Sequence, residues 1–483
     1  MTRSRPHPNG SHSGNRKASG SRPRKGPRRN KSGQARRGGY PGGNTGGYPG
    51  GNTGGNTGSP HDGRLVGSHP NAPGGRRPGG PRGRGKKKRR NFGPAQRNER
   101  PARLNDQHIE VTGPLETVEG VLEFLPEGFG FLRRLENDYQ PADDDVFVPA
   151  ALIRTQELRE GSTIRGQAGP GRSPTRSRIL TTVELADGVG LAEYHDRIPF
   201  SRLTSIDPNE RLRIDESGDA SMRILDLVTP VGKGQRGLIV AAPRTGKTIL
   251  LQKLAQSIAK VHPEVHLMIV LIDERPEEVT EMRRSTVAEV IASSSDQMSH
   301  KHVRVAEIVL ERARRLVEGG TDVVILLDSL TRMARAYNIE NRGSGRTLSG
   351  GLDAKTMQKP REFFGAARNA EEGGSLTILA TALIDTGSRM DQVIFEEFKG
   401  TGNMEVVLHR PLADRRVWPA IDIHKSGTRK EEKLRSPETQ AQVNLLRRIL
   451  AERKVEGAME ALLGKIVKTE DNRSFLNILT TAR

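Results

Sequence analysis

The chain has 483 residues, with 78 Lys+Arg against 58 Asp+Glu, a formal net charge of +20, 55 Gly, one Trp and no Cys. The absence of cysteine excludes a disulfide framework, a thiolate zinc site and a cysteine nucleophile. The longest aliphatic run, residues 267–272, is too short to span a membrane, and the basic N-terminus lacks the apolar stretch of a secretory signal; a soluble cytoplasmic protein of about three domains is expected.

The charge is confined to one segment. Residues 1–100 carry 24 Lys/Arg and two acids, Asp62 and Glu99, whereas the remaining 383 residues carry 54 bases and 56 acids. The first hundred residues also hold 25 Gly and only ten apolar side chains. Such a segment cannot bury enough apolar surface to offset its ordering entropy. Residues 1–105 therefore read as disordered, within a tail that runs to 115. Gly-Gly-Tyr-Pro and Gly-Gly-Asn-Thr blocks fill 38–57, between Arg/Lys clusters at 22–31 and 82–90. A flexible polycation of this kind attracts a nucleic-acid backbone by counterion release.

Five short strands are expected next, at 118–124, 128–133, 145–148, 162–166 and 179–185. Five strands in about 70 residues, punctuated by Gly and Pro, predict a small barrel over 116–188. Phe129 and Phe131 stand two apart, so they share one strand face. With Gly128, Gly130 and Arg133 around them they predict either an exposed surface on which bases stack or two rings of the barrel core. Residues 189–225 read as a connector.

From 226 to the end the pattern is that of an α/β P-loop ATPase. RGLIVAA at 236–242 is a buried strand, Pro243-Arg244-Thr245-Gly246-Lys247-Thr248 is a turn, and Leu250, Leu254 and Ile258 recur at the helical period. Strand, glycine turn, Lys-Thr and helix are the context of a P-loop, although Ala241 stands where its first glycine would. Lys247 is expected at the β/γ-phosphates and the Thr248 hydroxyl on Mg²⁺. Two further strands end in acids. One runs into Asp273-Glu274 and the other into Asp328, the expected Mg²⁺-holding acid. Glu274, with Asp273 as second choice, is expected to orient the attacking water. A cation should face the transferred phosphate, and Arg275, Arg415, Arg416 and Arg429 are all candidates.

These blocks resemble the bacterial family of Rho transcription termination factors. The residues that carry the likeness are GVLEFLPEGFGFLR at 120–133, DDVFV at 144–148, VGKGQRGLIVAAPRTGKT at 231–248 and LIDERPEEVTEM at 271–282. ILLDSLTRMARAYN at 325–338, the stretch 363–391, EEFKGTGNMEVVLHR at 396–410 and PAIDIHKSGTRKEE at 419–432 continue it. The resemblance implies an OB-fold (cold-shock-like) RNA-binding barrel at 116–188 followed by a RecA-like domain at 226–483, an RNA-dependent ATPase and helicase, built as a homohexameric ring, that uses ATP and Mg²⁺. It would take nascent single-stranded RNA as its track and the RNA polymerase elongation complex as its target. It implies a nucleotide pocket of Gly232, Lys233, Gly234, Gln235, Arg236, Gly237, Arg244, Thr245, Gly246, Lys247, Thr248, Ile249 and Arg275. Arg429 would be an arginine finger offered to the neighbouring subunit, with Arg416 nearby.

The primary RNA site so implied is Gly128, Phe129, Gly130, Phe131, Leu132, Arg133, Asp145, Val146 and Phe147, with Thr175, Arg176 and Ser177. The secondary site would line the ring's channel with Arg346, Thr347, Leu348, Ser349, Gly350, Gly351 and Arg389. The chain departs from the family in its basic tail, which stands where many members begin with a small helical subdomain, in Ser177, where an aromatic is common, and in Ala241, Arg244 and Thr245 of the P-loop. Two other classes fit parts of the pattern: another ring-shaped P-loop motor, or a non-catalytic RNA-binding protein.

Overall fold

The computed structural model describes residues 111–171, 178–341, 351–352 and 355–481. The basic tail, Thr175, Arg176 and Ser177, and Arg346, Thr347, Leu348, Ser349 and Gly350 lie outside the described residues.

The first module is a closed barrel of β1 (Glu116–Phe124), β2 (Gly130–Arg133), β3 (Val146–Val148), β4 (Thr163–Pro170) and β5 (Arg178–Ala186), with α1 (Ala150–Thr155) after β3. The strands run in the order β1-β2-β3-β5-β4, and β4 pairs back onto β1. Val118, Leu122, Leu132, Val146, Val148, Ile164 and Leu180 fill the interior. Their period-2 spacing is what makes one face of each strand apolar. Closure leaves no free edge, which suits so small a sheet.

The second module is built on a mostly parallel sheet. It comprises α2 (Leu191–Asp196), β6 (Ser205–Ile206), α3 (Ala220–Val228), β7 (Arg236–Ala241), α4 (Lys247–Val261), β8 (His266–Glu274) and α5 (Pro276–Ser285). β9 (Glu289–Ser294), α6 (Ser299–Glu318), β10 (Val323–Asp328), α7 (Leu330–Glu340), α8 (Gln358–Gly365), β11 (Arg368–Ala370) and β12 (Ser375–Leu383) follow. α9 (Arg389–Lys399), β13 (Met404–Val407), α10 (Arg410–Asp414), β14 (Gly427–Thr428), α11 (Pro437–Ala451), α12 (Val455–Ile466) and α13 (Asn472–Thr481) complete it.

The main path of the sheet is β14-β13-β7-β12-β10-β8-β9, and β13 through β9 are parallel. Strands buried on both faces read as continuous apolar runs, as β7 and β10 do. Along β7, Ile239 and Ala241 enter one core with α3, α4, α11 and α12. Leu238 and Val240 enter the opposite core with α6, α7, α8 and α9. Within residues 189–225, β6 adds to the sheet edge through β11, and Leu212 and Ile214 are fully buried. The order β7-β12-β10-β8 matters for function, because it sets four carboxyl ends side by side, where open parallel sheets bind ligands.

Candidate active site and nucleic-acid interface

The turn after β7 is shaped by its glycine. Gly246 has φ of +80°, and a Cβ there would fall 2.3 Å from the Trp418 ring. Conformation and space therefore both demand glycine. Thr245 Oγ1 donates to the Ala242 carbonyl at 2.7 Å, which folds the turn on itself. α4 starts at Lys247, so its free N–H groups face the turn, the arrangement that binds phosphate oxygens.

Lys247 lies between the two acids named from sequence. Its ammonium donates to Glu274 Oε1 at 3.0 Å and to both carboxylate oxygens of Asp328. Thr381 Oγ1, from β12 between β7 and β10, donates to Asp328 Oδ1 at 2.8 Å. Arg332, in the first turn of α7, approaches Glu274 Oε2 at 3.4 Å. Glu274 and Asp328 are almost wholly buried, at 2% and 1% exposure. Burial, and then the charge of Asp328, pushes the Glu274 carboxyl up to about 7 against the opposing pull of Lys247 and Arg332. Burial opposes the Lys247 ammonium, but Asp328 and Glu274 outweigh it and hold its pKa above the ordinary value. Asp273 is half-buried at φ +56°, and no hydrogen bond joins it to Lys247.

The cleft over this group measures about 570 Å³ and is lined by Arg244, Thr245, Gly246, Thr248, Ile249 and Arg275, among others. It also takes in Glu278, whose Oε2 accepts from the Thr248 hydroxyl at 3.3 Å. Beside it is a smaller apolar pocket of about 190 Å³, with Ile249, Leu250, Trp418 and Pro419 in its wall. Trp418, Arg332, Thr381 and Glu278 were not foreseen from sequence. Trp418, the chain's only tryptophan, was the one available signal.

Other expected nucleotide residues are elsewhere. Gly232, Lys233, Gly234, Gln235, Arg236 and Gly237 lie at the amino end of β7, and a six-residue strand spans about 20 Å. Within one chain they do not line the P-loop cleft. Lys233 pairs with Glu210 and Asp322, and the Gln235 amide donates to Asn403 Oδ1 at 2.6 Å. Arg429 is at this same end: its backbone N–H donates to the Asn403 carbonyl at 2.8 Å, and its side chain is exposed. Arg416 is exposed two residues before Trp418.

On the barrel, Phe129, Phe131 and Phe147 form a cluster with ring centroids 5.2 to 6.0 Å apart. Phe129 and Phe131 lie outside the barrel core, whereas Phe147 beneath them is buried at 4% exposure. Two expectations are corrected. The strand starts at Gly130 rather than 128, because Gly128 turns at φ +93°. The rings of Phe129 and Phe131 are half-buried, not exposed, because Phe147 packs against both. Arg133 is not a free surface cation. It is 4% exposed, its guanidinium carbon is 4.7 Å from the Phe131 ring centroid, and it pairs with Glu123 and Asp145. Asp145 Oδ1 is buried without a hydrogen-bond partner. Leu132 and Val146 point into the barrel core.

Near the second expected RNA site, Arg389 is exposed at the start of α9. Arg335 of α7 holds Asp391 of α9 with two hydrogen bonds of 2.7 and 2.6 Å, and Thr386 Oγ1 donates to Asp391 Oδ2. Thr386 also lines the nucleotide cleft. Gly351 is left-handed at φ +80°, and its carbonyl accepts from Asn338 of α7. No helix among the described residues is long and apolar enough to cross a membrane.

Comparison with known proteins finds a match for each module. Residues 118–189 match the Rho termination factor RNA-binding domain, and residues 221–428 match the nucleotide-binding domain of the ATP synthase alpha/beta family. The transcription termination factor Rho of Cereibacter sphaeroides is 53% identical over 367 residues, which is 75% of this chain and 87% of that protein. The transcription termination factor Rho of Escherichia coli is 51% identical over 365 residues, again 75% of this chain and 87% of that protein. A phosphate turn backed by two buried acids, a barrel with an aromatic patch, and this degree of identity together place the chain in the family of Rho transcription termination factors.

Proposed function

We propose that this protein is a cytoplasmic RNA-dependent ATPase and helicase that ends transcription by moving along nascent RNA and dissociating the RNA polymerase elongation complex. The observation that carries this reading is the Lys247–Glu274–Asp328 cluster, in one chain with a barrel that bears three clustered phenylalanines.

ATP would enter with its phosphates on the N–H groups of the turn and its base against Ile249 and Trp418, where the wall is apolar. Lys247 then exchanges carboxylate partners for phosphate oxygens. Glu274, relieved of that ammonium, accepts a proton from the attacking water and orients it, with Arg332 steadying its second oxygen. The oxygen donors Thr248 and Asp328 suit a hard divalent cation, and no group of three or more acidic or histidine ligands exists among the described residues. That fits Mg²⁺, which is held by one or two protein ligands plus phosphates. When bound, the ion supplies charge neutralisation across the β- and γ-phosphates.

Arg429 sits too far from its own cleft to serve it, and so do Gly232 to Gly237. Their common position at the other end of β7 supports service to a neighbour's ATP in a homohexameric ring, with Arg416 as a further cation at that interface. RNA bases would stack on Phe129 and Phe131 beside Phe147. The unpartnered Asp145 Oδ1 is suited to accept from an exocyclic amino group such as that of cytosine. Gly128, Gly130, Thr175, Arg176 and Ser177 would border this site. Arg346, Thr347, Leu348, Ser349, Gly350, Gly351 and Arg389 would grip RNA in the channel. Thr386 and the Arg335–Asp391 pair tie that region to the nucleotide cleft.

The test is steady-state ATP hydrolysis with single-stranded RNA or DNA of matched sequence, and Glu274→Ala as control. Stimulation by RNA alone, lost in the variant, is expected. Equal stimulation by DNA would overturn the RNA assignment.

A further inference from the structure

The barrel is fastened to the ATPase module mainly through α6 and β9. Gly161, at φ +82°, lies so close to α6 that a Cβ would fall 2.3 Å from the Glu311 carbonyl carbon. Arg312 donates to Thr163 Oγ1 at 2.6 Å and to Glu289, which also accepts from the Tyr139 hydroxyl. Arg159 reaches back to Glu318 at 3.0 Å. These contacts hold two modules together and approach no candidate RNA residue.

One contact differs. Arg304 of α6 donates to Glu123 Oε2 on β1. The same oxygen accepts from Arg133 Nε at 2.6 Å. Arg133 in turn binds Asp145 and lies against the Phe131 ring. The result is a row of alternating charges, Arg304–Glu123–Arg133–Asp145, that begins on the ATPase module and ends at the aromatic patch. Side-chain exposure falls along it from 25% to 11%, 5% and 2%. Charges that dry are weakly screened, so each holds its neighbour firmly. With Arg304 removed, two buried carboxylates share one guanidinium. Arg133 then answers to Glu123 and Asp145 alone, and its place against Phe131 is no longer fixed from both sides.

We propose that Arg304 is a positioning residue of the RNA-stacking surface: acting through Glu123, it holds the Arg133 guanidinium against Phe131. The proposal rests on the reading of residues 128–133 as an RNA-binding face. It makes the RNA affinity of the barrel depend on an ATPase helix, and by linkage makes that helix sensitive to RNA on the barrel.

The experiment uses the full chain. Fluorescence anisotropy with labelled single-stranded RNA gives affinity, and RNA-stimulated ATP hydrolysis gives kcat and the RNA concentration for half-stimulation. Arg304→Gln is expected to weaken RNA binding about fivefold, the range of coupling between contacting groups, with kcat at saturating RNA unchanged. Arg304→Lys restores most of the affinity, since an ammonium can still pair with Glu123. Adding Glu123→Gln to Arg304→Gln costs less than the two single losses combined. Arg283→Ala is the control. It removes another barrel-to-ATPase ion pair, with Asp138, away from the phenylalanines, and should bind RNA normally. Normal binding by Arg304→Gln, while Phe131→Ala is weakened, would overturn the proposal alone. An equal loss in Arg283→Ala would reduce Arg304 to a docking contact. Unchanged binding by Phe131→Ala would remove the RNA face itself, and the proposal with it.

Discussion

Lys247 Nζ lies 3.0 Å from Glu274 Oε1, so the cation proposed to bind phosphate is the counter-ion of the carboxylate proposed to act on water. The same ammonium binds both oxygens of Asp328. One cation thus faces two buried acids. On the proposed function, phosphates that arrive at Lys247 compete with both acids and release Glu274. Glu274→Gln keeps the size of the side chain but cannot take a proton. Its kcat should fall by about 10²- to 10⁴-fold, the usual yield of a general base, while ATP binding changes little. Single-turnover hydrolysis and equilibrium binding of a labelled nucleotide check the two halves.

The raised Glu274 carboxyl gives a pH dependence. Its pKa is about 7 in the nucleotide-free protein, from burial and then Asp328. A base must be deprotonated to act, so kcat/KM should fall as pH drops through about 7, and Glu274→Gln should lack that limb. The stability effect runs the other way. A carboxyl whose folded pKa exceeds its ordinary value of 4.5 holds its proton more tightly when folded. That contribution is complete below the ordinary value and is lost as pH rises through about 7. Relative to Glu274→Gln, the nucleotide-free protein should lose stability between about pH 5 and pH 8, as read from melting curves.

Arg429 and the P-loop are at opposite ends of β7, so the finger is tested by mixing subunits. Arg429→Ala alone and Glu274→Ala alone should each lose hydrolysis, the former by about 10³-fold or more. Mixed in equal amounts and reassembled, they should recover activity, because about a quarter of randomly assorted interfaces pair an intact cleft with an intact finger. No recovery on mixing would place Arg429 outside the neighbour's site.

Phe131 and Arg133 should behave differently on substitution. Phe131→Ala removes a half-buried ring outside the core, so it should cost RNA affinity by about 1–3 kcal/mol per stacked base and leave the melting temperature nearly intact. Arg133→Ala strands Asp145 as a buried carboxylate and leaves Glu123 with Arg304 alone. Breaking such a pair costs about 3–5 kcal/mol, so this variant should melt early as well as bind poorly. Measuring both quantities on both variants separates contact from scaffold.

Removing residues 1–105 should weaken RNA binding and flatten its salt dependence, since each phosphate contact on a single strand adds about 0.7 to the log–log slope. An unchanged slope would leave the tail without a role in phosphate binding.

Sequence alone carried the barrel and the ATPase core. A strand's two-residue alternation and a buried parallel strand's apolar run are local patterns, and each was visible in β1, β7 and β10. Glu274 and Asp328 were legible for the same reason, since each ends such a strand, and Lys247 was legible from the glycine turn that follows β7. The tertiary structure decided what depends on packing between distant segments. The burial of Arg133 is not legible locally because its two carboxylate partners are 10 and 12 residues away, and only the pairing of β2 with β1 and β3 brings them together. Trp418, 172 residues after Gly246, meets the phosphate turn because β13 lies beside β7. Arg304 reaches Glu123 across 181 residues because Gly161 lets the barrel settle on α6. Local periodicity writes strands and motif turns into the chain, whereas burial and partnership of a charge are properties of the fold, set by strand order and module docking.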